Sequence, residues 1–200
     1  YNSGRAVAFF PALLKTLDVT PTRLLEDFCR WATEQGHIDP DRPGSDGATA
    51  HEAWQRHREY LSWRLRADGK PHLVPAMMDL LNYHYHYAET LLDKPVTALD
   101  DLPLDSDDLW HSCWQLLPQV RLVRFTYEIV DLMEMEEVDL EEFVHLFRPV
   151  GSSALFLRRG NEVICESLTE EFLDLLQNCD GSRSPQQIFN GVLHRSTAEE

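Results

Sequence analysis

The sequence predicts a mainly α-helical protein of the α+β class. A four-helix N-terminal unit is followed by a small winged-helix-like module that contains a β-hairpin. Two observations predict this class, and a third indicates a globular protein. Apolar residues recur at helical spacing through residues 1–93. After residue 150 that spacing stops, and two short apolar runs flank Gly160-Asn161, which is typical of a hairpin. The composition, 43% hydrophobic and 26% charged, is that of a globular protein.

The chain is organised around its fourth predicted helix, Val74 to Leu92. This stretch is apolar on nearly all of its sides, whereas a helix at the surface of a domain has a single apolar stripe. Pro75 suits the first turn, where a missing N–H costs little, and Lys94-Pro95 ends the helix. We therefore expect a central helix that is enclosed by the helices before it and by a segment after it.

Three helices precede the central one and complete the unit at residues 1–93. The first is predicted over Arg5 to Leu17. Thr20-Pro21 starts the second, which runs to about Gln35, and Thr49 starts the third, which runs to about residue 67. Turn residues fill the loop between the second and third helices at 37–48. The residues predicted to face inward from the second helix are Leu24, Leu25, Phe28, Trp31 and Ala32.

The middle of the chain is less regular. Residues 94–108 are rich in aspartate and turn residues, which predicts an acidic linker. Residues 109–149 form a mixed connecting segment. Within this region we predict a short helix over 107–117, a strand that gives way to a helix over 120–132, and a helix over 134–147.

The predicted winged-helix-like module spans residues 150–195. Its hairpin is followed by Ser167 to Glu170, which matches a capping box, and then by a helix. The residues predicted to face inward from that helix are Phe172, Leu175, Leu176 and Cys179. Ser184-Pro185 starts a last helix. Its exposed residues are candidates for docking a protein or peptide: Gln186, Gln187 and Asn190.

The charge and the cysteines exclude several classes of function. A formal net charge of −16 repels phosphate backbones, so we expect no nucleic-acid partner. No apolar run reaches the roughly 20 residues that span a bilayer, so we expect no membrane partner. Four scattered cysteines without a secretory leader predict reduced, mostly buried thiols in the cytoplasm. The sequence begins at Tyr1 rather than at Met, so we expect it to be part of a longer polypeptide.

The central helix carries the alternation Tyr83-His84-Tyr85-His86-Tyr87. Two residues that are two positions apart on a helix point roughly 200° apart, so His84 and His86 cannot chelate one metal ion together. They either serve separate sites or satisfy hydrogen bonds within the core, and the core role is the favoured one. No other spacing in the chain proposes a metal site or a set of catalytic residues.

Three stretches together resemble a known region. They are Tyr1-Asn2-Ser3-Gly4-Arg5, residues 79–87 of the central helix, and the segment from Arg121 to Tyr127. The region is the uncharacterised domain C-terminal to the barrel in cobalamin-binding radical S-adenosylmethionine proteins, which are often described as Fe–S oxidoreductases. Separately, Leu168 to Leu193 is similar to part of the winged-helix peptide chaperone of pyrroloquinoline quinone biosynthesis.

The resemblance implies a parent enzyme that binds a [4Fe-4S] cluster, S-adenosylmethionine and cobalamin outside this chain. The chain would be a non-catalytic accessory domain that covers the substrate end of the barrel and docks a substrate or partner. Its expected partners are the N-terminal domains of its own polypeptide and a protein or peptide. The candidate substrate contacts would be Tyr83, His84, Tyr85 and His86. The alternative is a free-standing interaction or regulatory protein that uses the winged-helix-like module.

Overall fold

The computed structural model describes residues 3–37, 49–96, 110–134 and 139–196. Over these residues the fold is mainly helical, with eight helices and one small three-stranded antiparallel sheet, which confirms the predicted α+β class. The predicted loop at 37–48 and the acidic linker at 94–108 lie largely outside the described residues.

The helices and strands occur in an order close to the predicted one. Four helices come first: α1 (Ser3–Leu17), α2 (Pro21–Glu34), α3 (Ala50–Asp68) and α4 (Val74–Leu92). Then come β1 (Arg121–Phe125), α5 (Ile129–Glu134), α6 (Leu140–Leu146), β2 (Ser152–Arg159), β3 (Glu162–Leu168), α7 (Glu170–Gln177) and α8 (Pro185–Ser196). The central helix has the predicted bounds. The stretch after residue 120 is a strand followed by a helix, as predicted.

The chain divides into two compact units. The helical unit comprises Tyr1–Leu92 and Phe125–Gly151, and the sheet unit comprises Asp93–Arg124 and Ser152–Glu200. Each unit is therefore built from two separate stretches of the sequence.

Helix α4 is the core element of the helical unit, and it packs against α1, α3 and α5. Its buried residues point in several directions, as expected of an enclosed helix. They include Ala76, Met77, Leu80, Leu81, Tyr83 and Tyr85. Leu91 and Leu92 at its C-terminal end are exposed, whereas Glu89 and Thr90 of the same turn are buried, so one side of the last turn of α4 is open.

A buried carboxylate fixes the segment after β1 to α4. Asp79 Oδ2 accepts hydrogen bonds from the backbone N–H groups of Thr126, at 2.7 Å, and Tyr127, at 2.9 Å. Burial raises the pKa of Asp79 above its ordinary value of 3.8, although these two N–H groups lower it in part. The contact positions the start of α5, whose first residue, Ile129, is fully buried.

Helix α2 buries most of the predicted face, with one exception. Leu24 and Ala32 are buried and Phe28 and Trp31 are half-buried, but Leu25 is 62% exposed and Asp27 is buried. Asp27 turns inward because it forms ion pairs with Arg23 of its own helix, at 3.2 Å, and with Arg64 of α3, at 3.4 Å. A charge can be buried when oppositely charged partners surround it, and apolar spacing alone does not detect this.

The sheet unit contains the predicted hairpin. Strands β2 and β3 pair antiparallel from Ser153–Leu168 to Arg159–Glu162, and Gly160 in the turn has a φ of +60°. The strand order is β1-β2-β3, so β3 is an edge strand of the described sheet. Helix α7 packs against β3 and against α8.

The predicted helix over 107–117 is wrong beyond His111, where helical conformation ends. Gln115 instead forms an isolated antiparallel bridge with Asp180. Three backbone hydrogen bonds hold this extended segment, including Leu116 N–H to the Cys179 carbonyl at 2.9 Å and Gly181 N–H to the Trp114 carbonyl at 2.7 Å. Tertiary pairing thus satisfies backbone groups that a helix would have satisfied locally.

Two predictions for α7 are also wrong. The N-cap is Thr169 rather than Ser167, because β3 continues to Leu168 before the helix begins. The Thr169 hydroxyl accepts the N–H of Phe172 at 3.4 Å. Phe172, which was predicted to face inward, is 60% exposed, and its neighbour Leu173 is fully buried.

Candidate functional site

A cavity of about 190 Å³ lies among α1, α3 and α4 of the helical unit. The central helix supplies both a histidine and a tyrosine to its wall, His84 and Tyr85. The remaining residues that line it are Phe9, Trp54, His57, Arg58, Leu61, Leu81, Tyr87, Ala88 and Leu91. Most of this lining is apolar or aromatic, which is typical of a small-molecule site.

The structure separates the four predicted contact residues into two groups. His84 and Tyr85 line the cavity, whereas Tyr83 and His86 do not. The Tyr83 ring is buried and stacks on Tyr87, with the ring centroids 6.5 Å apart. His86 approaches the carboxylate of Glu89, with 3.9 Å between Nδ1 and Oε2.

His84 is an uncharged histidine in an apolar wall. Its Nε2 is buried and has no hydrogen-bond partner among the described residues, and its ring lies 4.8 Å from that of Phe9. Burial lowers the pKa of His84 from its ordinary value of 6.5 to about 4. The imidazole is therefore neutral at pH 7. It is too weak a base for efficient proton abstraction there, but it can donate or accept one hydrogen bond.

Tyr85 is held in place by two charged neighbours. Its hydroxyl donates to Glu89 Oε1 at 2.5 Å, and the Arg58 guanidinium lies 4.0 Å from the centre of its ring. Burial, and secondly the bond to Glu89, raises the pKa of Tyr85 above its ordinary value of 10.0. Tyr85 therefore stays protonated and shapes the cavity wall.

Helix α3 supplies the part of the site that sequence reasoning missed. Trp54, His57, Arg58 and Leu61 follow the spacing i, i+3, i+4 and i+7, which places them on one helix face. This spacing is the signal that the sequence offers. It is not an apolar stripe, because His57 and Arg58 are polar. Burial lowers the pKa of His57, so it too favours the neutral form.

Trp54, which also lines the cavity, has a buried polar atom without a partner in the described part of the chain. Its Nε1 is buried and has no hydrogen-bond partner among the described residues. The indole nitrogen is a donor only, and a buried donor without a partner costs about 1–3 kcal/mol. Two residues that line the cavity, one on α3 and one on α4, thus each have a buried nitrogen without a partner among the described residues.

The three predicted docking residues all lie on the exposed side of α8. Gln187 also has a local role. Its side chain accepts the N–H of Ser184 at 3.0 Å, and its own N–H donates to the Ser184 hydroxyl at 3.3 Å. This is a capping box, so Gln187 helps to start α8. Gln186 and Asn190 are exposed, and their role in docking remains a prediction.

The four cysteines of this chain are far apart in the sequence. The sequence contains no Cys-x-x-x-Cys-x-x-Cys. In the part of the chain that the structure describes, no three histidine, cysteine or carboxylate side chains gather closely enough to bind a metal. Cys29 and Cys113 are exposed and Cys165 is half-buried. Only Cys179 is buried, so the expectation of mostly buried thiols is wrong.

None of the described helices is both long enough and apolar enough to cross a bilayer. A comparison with protein-family models finds no match to this sequence. A comparison with curated proteins likewise finds no match.

Proposed function

We propose that this chain is a non-catalytic C-terminal accessory domain of a cobalamin-binding radical S-adenosylmethionine enzyme, and that its helical unit helps to bind the substrate of that enzyme. One observation carries the proposal. The histidine–tyrosine stretch of α4, which bears the resemblance to such enzymes, contributes His84 and Tyr85 to an apolar cavity. In this proposal the cavity faces the substrate end of the parent enzyme's barrel.

The chemistry of the cavity supports binding rather than catalysis. The low pKa of His84 and the raised pKa of Tyr85 keep both side chains uncharged at neutral pH. Neither is a strong acid or base there, whereas both can orient a bound molecule. The [4Fe-4S] cluster, S-adenosylmethionine and cobalamin would be bound by other domains of the parent enzyme and would supply its radical chemistry.

The first test is the reading frame upstream of Tyr1. A Cys-x-x-x-Cys-x-x-Cys motif there is the expected result, because that spacing supplies the three cluster thiolates. A frame that encodes no such motif would refute the proposal.

The second test measures turnover of the full-length polypeptide. The protein is reconstituted anaerobically, and its iron content and reductive cleavage of S-adenosylmethionine are measured with and without residues 1–200. We expect the truncated enzyme to keep its cluster and to lose substrate turnover. Unchanged turnover would contradict a role in substrate binding.

A point variant refines this test. His84→Phe in the full-length enzyme should raise KM for the substrate and leave the iron content unchanged. His145→Phe, at an exposed position on α6, is the matched control and should leave KM unaltered.

The sheet unit supports a second candidate, a free-standing interaction protein. We propose that the β2–β3 hairpin, α7 and α8 form a winged-helix-like module that docks a peptide along β3. The supporting observation is that β3 lies at an edge of the described sheet, where unpaired backbone groups can add a strand. Two results together would favour this candidate. The upstream reading frame would lack the cysteine motif, and a peptide would bind the chain but not variants with Pro substitutions in β3.

A further inference from the structure

The cavity of the helical unit presents mainly carbon atoms to a bound molecule. Trp54 Nε1 and His84 Nε2 are both buried among protein atoms, so a molecule in the cavity does not reach them. The Tyr85 hydroxyl is already used, because it donates to Glu89 Oε1 at 2.5 Å. Although several lining residues are polar by type, the wall therefore offers chiefly van der Waals contacts.

The charges of the lining favour an uncharged molecule. Among the described residues that line the cavity, Arg58 is the only permanent cation, and none is a carboxylate. Arg58 Nη2 donates to Asn82 Oδ1 at 2.9 Å, and its guanidinium lies over the Tyr85 ring. Burial lowers the pKa of His57 and of His84, so both favour the neutral form at pH 7. A charged molecule would lose its hydration here without gaining an unengaged partner.

The size of the cavity limits the ligand to about one ring. Its volume of about 190 Å³ is somewhat larger than the roughly 150 Å³ of an engineered apolar cavity that takes up benzene. The buried side chains of Phe9, Leu61 and Leu81 form part of its wall. A ring with one or two small substituents fits this volume.

The cavity is partly open to solvent. Leu91, which lines it at the last turn of α4, is 44% exposed. A substrate larger than one ring can therefore insert a single apolar group, while the rest of the molecule stays outside the helical unit.

We infer that the cavity binds a small uncharged hydrocarbon ring, either as a free compound or as one group of a larger substrate. Removal of apolar surface from water, on the ring and on the wall, supplies the affinity. A hydroxyl on the ring opposes binding, because it gives up its hydration and gains no partner in the wall. The inference deepens the proposed function and rests on it for the role of the cavity, because it names the chemical class of the substrate.

The experiment measures binding of three probes to the 200-residue chain by NMR titration at pH 7. The probes are toluene, phenol, in which a hydroxyl replaces the methyl group, and benzoate, which carries a charge. We expect toluene to bind at least about tenfold more tightly than phenol, because the phenol hydroxyl is left without a partner. Benzoate should bind most weakly of the three.

A variant that fills the cavity locates the site. Ala88 lines the cavity, and Ala88→Leu adds three carbon atoms there, so it should weaken toluene binding about tenfold or more. Ala53→Leu is the matched control, because Ala53 is exposed on α3 and does not line the cavity. A thermal melt of each variant verifies that it is folded. Ala88→Val, which adds less volume, replaces a Leu variant that does not melt cooperatively, and it should weaken toluene binding by a smaller factor.

Four outcomes would overturn the inference. They are binding of phenol as tightly as toluene, tightest binding of benzoate, equal toluene affinity in the Ala88 and Ala53 variants, and absence of binding by all three probes. If toluene binds as expected but removal of residues 1–200 leaves turnover intact, the ligand class stands and the accessory role fails. If turnover is lost on truncation but toluene does not bind, the accessory role stands and the ligand class fails.

Discussion

His84 links the cavity to the stability of the protein at the scale of a single residue. Its pKa is about 4 in the folded chain and 6.5 when unperturbed. A depressed pKa means that the folded state binds fewer protons than the unfolded state between these values. The stability that neutral His84 contributes is therefore complete above pH 6.5 and is lost as the pH falls towards 4.

We predict that His84→Phe reduces this pH dependence. Wild-type protein should lose about 2 kcal/mol more stability than the variant on going from pH 7 to pH 5, since each pKa unit corresponds to about 1.4 kcal/mol. Urea unfolding at the two pH values measures the difference. The exposed His145→Phe variant should behave like the wild type, and equal slopes for all three proteins would contradict the prediction.

Asp79 is a second residue whose contribution to stability depends on its surroundings. It accepts two backbone N–H groups from the segment after β1, and without it both lose their acceptor, one of them, that of Tyr127, in a buried position. We predict that Asp79→Ala lowers the free energy of unfolding by about 2–4 kcal/mol. Asp79→Asn should cost less, because its amide oxygen still accepts.

The measurement is again urea unfolding, with Asp131→Ala as control, because Asp131 is exposed on α5. Because the pKa of Asp79 is raised, the stability lost on replacing this residue depends on pH. A raised carboxyl pKa contributes stability that is complete below the unfolded value and is lost as the pH rises through the folded value. The Asp79→Asn variant should therefore lose less free energy of unfolding, relative to wild type, at pH 7 than at pH 3.

Capping decides where α3 begins, at the scale of the element. Thr49 Oγ1 accepts the N–H of Glu52 at 3.2 Å, and the Glu52 carboxylate accepts the N–H of Thr49 at 2.8 Å. We predict that Thr49→Ala lowers stability by about 1 kcal/mol, because the N–H of Glu52 at the helix start loses its acceptor. Thermal unfolding followed by circular dichroism measures this loss.

Thr33→Ala in α2 provides the matched control. The Thr33 hydroxyl is exposed and donates within its own helix to the Cys29 carbonyl, an arrangement that contributes little to stability. Its replacement by Ala, which has a higher helix propensity, should be neutral or slightly stabilising. A Thr33→Ala loss as large as that of Thr49→Ala would show that capping does not cause the effect.

At the scale of the whole molecule, the helical unit depends on a distant part of the chain. Residues 125–151 pack with the first four helices, and they include the fully buried Ile129 and the buried Phe143. Exposed ion pairs add to this packing, between Lys15 and Asp139 at 3.1 Å and between Lys70 and Glu141 at 2.6 Å. Such surface pairs contribute little, so the apolar contacts and the Asp79 bonds matter most.

We predict that a fragment of residues 1–93 does not reach the stability of the helical unit in the full chain. It lacks the partners of Asp79 and part of the apolar cover of α4. Circular dichroism should show residual helix without a cooperative melt, and the fragment should bind a dye for exposed apolar surface. A cooperative melt at the temperature of the full chain would contradict this view.

Local chemistry allowed much of the fold to be predicted. The bounds of α4, the Thr20 and Thr49 helix starts and the Gly160-Asn161 turn follow from the few residues at each place. The contribution of His84 and Tyr85 to the candidate site followed in the same way, because the stretch that supplies them stands out in the sequence. The physical reason is that caps, turns and helical periods are satisfied by near neighbours.

Only the tertiary structure decided the rest. Trp54 and His84 are 30 positions apart in the sequence, and the crossing of α1, α3 and α4 alone brings them to one cavity. The inward turn of Asp27 required Arg64 of another helix, and the extended course of Gln115 required Asp180. These features depend on partners distant in sequence, and the residues themselves carry no local signal of which partner they meet.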